Sequence, residues 1–71
     1  MPLSVHVKLD ETGTYVGVVE DLPGCVTQGS SFEELLDNLR DAIKGDIDAR
    51  RSLGWAAPSA RTMRLTLDVE W

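Results

Sequence analysis

Only one stretch of this chain repeats its apolar residues at helical spacing, and that stretch decides how the rest must fold. Phe32, Leu35, Leu36, Leu39, Ile43 and Ile47 recur at intervals of three and four, which gathers them into one stripe along a helix beginning at Phe32. A lone helix with such a stripe has to bury it against another layer. The flanking segments supply that layer, because they alternate apolar and polar residues with the period of half-buried strands. At 71 residues the chain has room for a single small core, so residues 1–71 are expected to form one domain.

In "LSVHVKL", Leu3, Val5, Val7 and Leu9 share one face and Ser4, His6 and Lys8 the other. "DETG" (Asp10 to Gly13) is built of turn formers, and "TYVGVVE" resumes a β-rich run, which makes the first two strands a hairpin ending near Glu20. In "DLPG" the proline lacks an N–H and the glycine accepts positive φ, so Pro23 and Gly24 turn the chain into a short third strand, "CVT". The last run, "MRLTLDVEW", sets Met63, Leu65, Leu67, Val69 and Trp71 against Arg64, Thr66, Asp68 and Glu70. The predicted order is β-β-β-α-β. If the first three strands form an antiparallel meander, a right-handed crossover through the helix returns the fourth parallel to the first. The expected architecture is α+β, a four-stranded sheet of order 3-2-1-4 with one helix covering one face.

The helix ends are written in the sequence as well. Ser31 followed by Glu34 is a capping box, in which hydroxyl and carboxylate satisfy backbone donors left open at a helix start. Glu33, Glu34 and Asp37 early and Arg50 and Arg51 late complement the helix dipole, and Asp46 and Arg50 stand at the favourable spacing of four. Gly45 weakens the middle by about 1 kcal/mol relative to alanine. Gly54 is placed to terminate the helix, and Pro58 prevents its resumption.

Bulk composition narrows the functional classes. With 42% hydrophobic and 27% charged residues the chain is globular rather than disordered. Cys25 is the only cysteine and His6 the only histidine, so neither a disulfide nor a zinc site staples the core. A small unstapled core points to a reducing, cytoplasmic setting and to self-association, as a dimer or higher. The N-terminal "MPLSVHVKLD" alternates and carries charge, unlike a signal peptide or membrane span. Twelve acids against seven bases give a net charge of −5, which repels phosphate backbones and disfavours direct nucleic-acid binding. A basic protein is the natural electrostatic partner.

Tyr15 and Val16, then "DLPGCVTQGSSFEELLDNLRDAI", then Gly54 and Pro58 resemble the HicB antitoxin family. In that family a tyrosine-containing strand leads to D-L-P-G-C-x-T-x-G, a capped helix, and a Gly-and-Pro connection to the last strand. The motif positions here are Asp21, Pro23, Gly24, Cys25, Thr27 and Gly29, with Ser31 and Glu34 capping the helix. The resemblance implies a truncated ribonuclease-H-like β-β-β-α-β unit. It also implies an antitoxin that binds a small, basic HicA-like ribonuclease and covers its catalytic histidine, so that messenger RNA is not cut. Two features depart from the pattern: Leu35 stands where a small alanine is usual, and Trp71 leaves no room for the C-terminal DNA-binding domain of many members, so self-repression at a promoter is not expected.

Each motif residue also has a bland explanation. Asp21 through Gly29 reads as a corner, Asp21 bonding neighbouring backbone, Pro23 and Gly24 turning the chain and Gly29 releasing it into the helix. Cys25 reads as a small core residue, since no histidine neighbours it in sequence and His6 lies on the polar face of its strand. The ribonuclease-H likeness raises a vestigial nuclease in which Asp10, Glu20 and Asp21 hold magnesium, but a hairpin turn and a strand end are poor places for convergent acids. No catalytic residue, cofactor or metal site is therefore assigned. For partner binding, Glu33, Asp37 and Asp41 form one acidic row on the helix. An orphan structural oligomer without a toxin is the alternative function.

Overall fold

The computed structural model describes residues 3–56 and 63–69. Four strands and one helix follow in the order β1 (Leu3–Leu9), β2 (Tyr15–Val19), β3 (Val26–Gly29), α1 (Phe32–Ser52) and β4 (Met63–Val69). The sheet order is β3-β2-β1-β4. β1 pairs antiparallel with β2, β2 antiparallel with β3, and β1 parallel with β4. This is the expected 3-2-1-4 sheet, with the parallel pair produced by the crossover through α1. β3 starts one residue later than the sequence suggests: Cys25 precedes it, still paired to the sheet by its carbonyl, which accepts from Val19 N–H at 3.0 Å.

Register explains the core. Val5 lies opposite Val19 and Val7 opposite Gly17, and Leu3, Val5 and Val7 face Met63, Leu65 and Leu67 of β4. All of these sit on the helix side of the sheet. The buried set is Leu3, Val5, Val7, Val19, Leu22, Cys25, Leu35 and Leu39, so only two residues of the six-membered helix stripe are fully enclosed. Leu36, Ile43 and Ile47 are half-buried, and Phe32 is 38% exposed at the first turn. The helix packs over β2 and β3, and its 21 residues, about 31 Å at 1.5 Å per residue, carry Ile43 and Ile47 past the most enclosed part of the core.

Both helix ends behave as capped ends. Ser31 Oγ accepts from Glu34 N–H at 3.1 Å, the first arm of the capping box. The second arm differs from expectation: the Glu34 carboxylate accepts from the Ser30 hydroxyl at 2.7 Å. At the far end Gly54 N–H donates to the Arg51 carbonyl at 3.1 Å and Trp55 N–H to the Arg50 carbonyl at 2.8 Å, the paired bonds of a Schellman motif. Arg50 also holds Asp46 through its Nε. Pro58, Glu70 and Trp71 lie outside the described residues.

Candidate functional site

The corner from Asp21 to Gly29 is where the sequence places most of its information, and the structure shows why each residue type is needed. Pro23 and Gly24 occupy the centre of a turn closed by Cys25 N–H donating to the Leu22 carbonyl at 2.9 Å. Gly24 has φ of +85°, the geometry of a type II turn with proline before glycine. Leu22, hidden between two turn formers in the sequence, is fully buried and anchors the corner to the core. Sequence reasoning missed it because the turn residues around it masked the single apolar signal.

Asp21 does not serve the neighbouring backbone as expected. Its Oδ2 accepts from Ser4 N–H at 2.6 Å, tying the corner to β1, while Glu20 N–H donates to the Ser4 carbonyl at 2.9 Å. Gly29 ends β3 where the helix comes closest. A Cβ there would stand 2.6 Å from the Leu35 nitrogen and 2.9 Å from its Cα, too close for any side chain, so glycine is what lets the helix start so near the sheet. Tyr15, opposite Gly29 in the register, meets Phe32 edge to face with ring centroids 5.9 Å apart. Thr27 lies opposite Gly17, and Gln28 gives its carbonyl to the Asn38 side-chain amide at 2.7 Å. The tie from Asn38 was not foreseen, since nothing in a helix sequence marks an asparagine as reaching a strand edge.

Cys25 is buried. Burial pushes its thiol pKa up, Asp46 adds to the rise and Arg50 opposes it; a thiol held in its protonated form is a poor nucleophile. The acids of the nuclease idea do not converge. Asp10 closes the β1–β2 turn, its Oδ1 accepting from Thr12 N–H at 2.9 Å, Thr12 Oγ1 at 2.6 Å and Thr14 N–H at 3.1 Å. The Thr12 hydroxyl and the Thr14 amide hold its pKa below the ordinary value. Glu20 and Asp21 sit at the opposite end of β1, beside Ser4, about 20 Å away along a strand rising 3.3 Å per residue.

What the surface offers instead is charge and open sheet. Glu33, Asp37 and Asp41 are all exposed on α1, and Asp37 has Arg40 at 3.5 Å. The face of the sheet away from the helix presents Val18 at 39% and Val26 at 55% exposure, paired across strands. Leu53 and Trp55, just past the helix end, are also exposed.

A family model described as the HicB-like antitoxin of bacterial toxin-antitoxin systems matches residues 1–69. The chain belongs to this family. Among curated relatives, a UPF0150 protein of Thermoplasma acidophilum is 34% identical over 67 residues, covering 94% of this chain and 97% of its own. Another, from Archaeoglobus fulgidus, is 34% identical over 53 residues, covering 75% and 77%. A third, from Helicobacter pylori, is 42% identical over 52 residues, covering 69% and 71%. No solved structure matches at comparable significance. In this HicB-like chain the Asp21–Gly29 corner is thus a structural element that joins sheet to helix. Among the described residues no group of three His, Cys, Asp or Glu side chains is placed to hold a metal, and no helix is long and apolar enough to cross a membrane.

Proposed function

We propose that this chain is an antitoxin that binds a small, basic, HicA-like toxin and covers its catalytic surface so that it cannot cleave messenger RNA. The observation that carries the reading is the family match over residues 1–69. Charge supports it: the net charge of −5 and the exposed row Glu33, Asp37 and Asp41 create a field that draws in a cationic partner. In this reading the chain is a single binding domain that acts in the cytoplasm and associates with itself. It carries out no reaction and uses no cofactor or metal, and its acidity keeps it from binding nucleic acid directly.

The mechanism is occlusion after steered encounter. Peripheral charges mainly set the association rate and its salt dependence, while dissociation is set by what is buried at the centre of the contact. The test is co-expression with the product of a neighbouring gene that encodes a short basic protein. The expected result is a toxic neighbour rescued by this chain, with association slowed by salt and by the triple substitution E33K/D37K/D41K. That variant keeps its fold, because exposed charge changes shift stability by less than about 0.5 kcal/mol each. A harmless neighbour, or a chain that neither rescues growth nor co-purifies, would leave a structural oligomer as the better account.

A further inference from the structure

We propose that the outward backbone of β3 is the docking edge for the toxin, and that an extended strand of the basic partner adds to the sheet there with its cations toward α1 and its apolar side chains over Val18 and Val26. The inference rests on the antitoxin reading and names its contact surface. The pairing of β2 with β3 decides which groups face outward. Val19 N–H donates to the Cys25 carbonyl at 3.0 Å, one step beyond the Val18–Val26 pair, so the ladder bonds fall on Gly17–Thr27 and Tyr15–Gly29. Val26 and Gln28, in the alternate pairs with Val18 and Val16, therefore turn N–H and C=O away from β2. The Asn38 amide agrees with this parity, since it donates to the Gln28 carbonyl at 2.7 Å. Among the described residues that is the only hydrogen bond to the outward row. The Val26 N–H and C=O and the Gln28 N–H are left on two exposed residues, and an open strand edge is a template for another strand.

The row is also held in place. Gly29 brings the helix onto the inner side of β3, buried Leu22 anchors the corner that leads into it, and Asn38 fixes its outer side, so little ordering remains for a partner to impose. The chemistry on either side names the occupant. Asn38 marks the flank of α1 beside β3. Glu34, Asp41, Gly45 and Asp48 share that flank, because with Asn38 they follow one another at alternating spacings of four and three. All four are exposed, three are acids, and no base interrupts the row. On the opposite face of the sheet Val18 is 39% and Val26 55% exposed, a small apolar pair. A strand points successive side chains to opposite faces, so one with Lys or Arg at alternate positions and apolar residues between them satisfies both sides at once. Main-chain bonds to Val26 and Gln28 supply affinity, and the alternating side chains supply selectivity.

The probe is the short basic protein encoded by the neighbouring gene. V26P removes the outward N–H at the centre of the row and no bond to β2, because proline is accepted in an edge strand where the N–H faces solvent. It should keep the circular dichroism of the native chain and raise the Kd for the basic protein about tenfold or more. D41K/D48K, on the flank beside β3, should weaken binding more than E33K/D37K, which makes the same change of charge on the crest of the helix. Hydrogen exchange on the native complex needs no substitution: the Val26 and Gln28 amides should exchange about tenfold more slowly, or slower still, than in the free chain, and this measurement decides alone if V26P does not fold. Folded V26P that binds as tightly as the native chain, equal losses from the flank and crest pairs, or Val26 and Gln28 amides that exchange at the free rate would each overturn the docking edge and leave the antitoxin reading standing. A native chain that neither binds the basic protein nor rescues growth would overturn both.

Discussion

At the β3 edge the helix face of the sheet is closed by contacts that leave little choice, whereas along β4 the described side chains are less enclosed. Gly29 admits the backbone of Leu35, Tyr15 stacks on Phe32, Asn38 ties helix to strand, and Leu35 and Leu39 are fully enclosed. On the other flank Met63 and Leu65 are half-buried and Leu67 faces water. The helix lies over β2 and β3, so among the described residues one half of the sheet is folded against α1 and the other half is less enclosed. For a chain this short that division has a physical basis, since one helix cannot cover four strands and a small core needs outside help.

The comparison breaks most directly at Leu39. Leu39→Ala removes a fully enclosed side chain from the closed flank and should cost about 2–5 kcal/mol, read as a lower urea midpoint. An unchanged midpoint would mean that the closed flank does not carry the fold. Gly29→Ala comes next. The added methyl meets backbone rather than a flexible side chain, so helix and strand must part, at about 1–3 kcal/mol for overpacking. A neutral Gly29→Ala would show that the corner is looser than its geometry implies.

The open flank should answer differently. Leu67→Thr keeps a β-former on a half-exposed site and should shift the stability of the dilute chain by less than about 0.5 kcal/mol. If a second copy covers Leu67, the native melting temperature rises with protein concentration, and the substitution flattens that rise. A large loss at high dilution would place Leu67 in the core of a single chain instead.

How far each flank could be read beforehand follows the same division. Element order and the 3-2-1-4 topology were legible because alternation and helical spacing report the buried face of each segment. The corner was legible in its turn chemistry but not in its contacts: Asp21 reaching Ser4 and Asn38 reaching Gln28 are long-range bonds that no local pattern encodes. Leu22 was hidden for the same reason. The stripe overstated the enclosed helix, because periodicity shows which face is apolar and not how far the opposing sheet extends. For binding, the acidic row was visible as sequence, while the half-open β4 flank emerged only when the helix was seen to lie over the other side.

The smallest effect concerns Asp10, at the turn that closes β1, the strand shared by both flanks. Its carboxylate gathers the Thr12 hydroxyl and amide and the Thr14 amide, which favour the ionised form and lower its pKa in the folded state from 3.8. A carboxyl group whose folded pKa is depressed contributes stability that is fully present above its unfolded value and lost as pH falls through the folded one. Asp10→Asn removes the titration, because an amide accepts hydrogen bonds at every pH but carries no charge to be favoured. Urea midpoints of the native chain and of Asp10→Asn should therefore differ by a constant amount near neutrality and draw together only in acid, below about pH 4. Curves that stay parallel throughout would show that the turn does not depend on the ionised carboxylate. The described bonds of Asp10 all lie within the β1–β2 turn, so the substitution tests the strength of the hairpin.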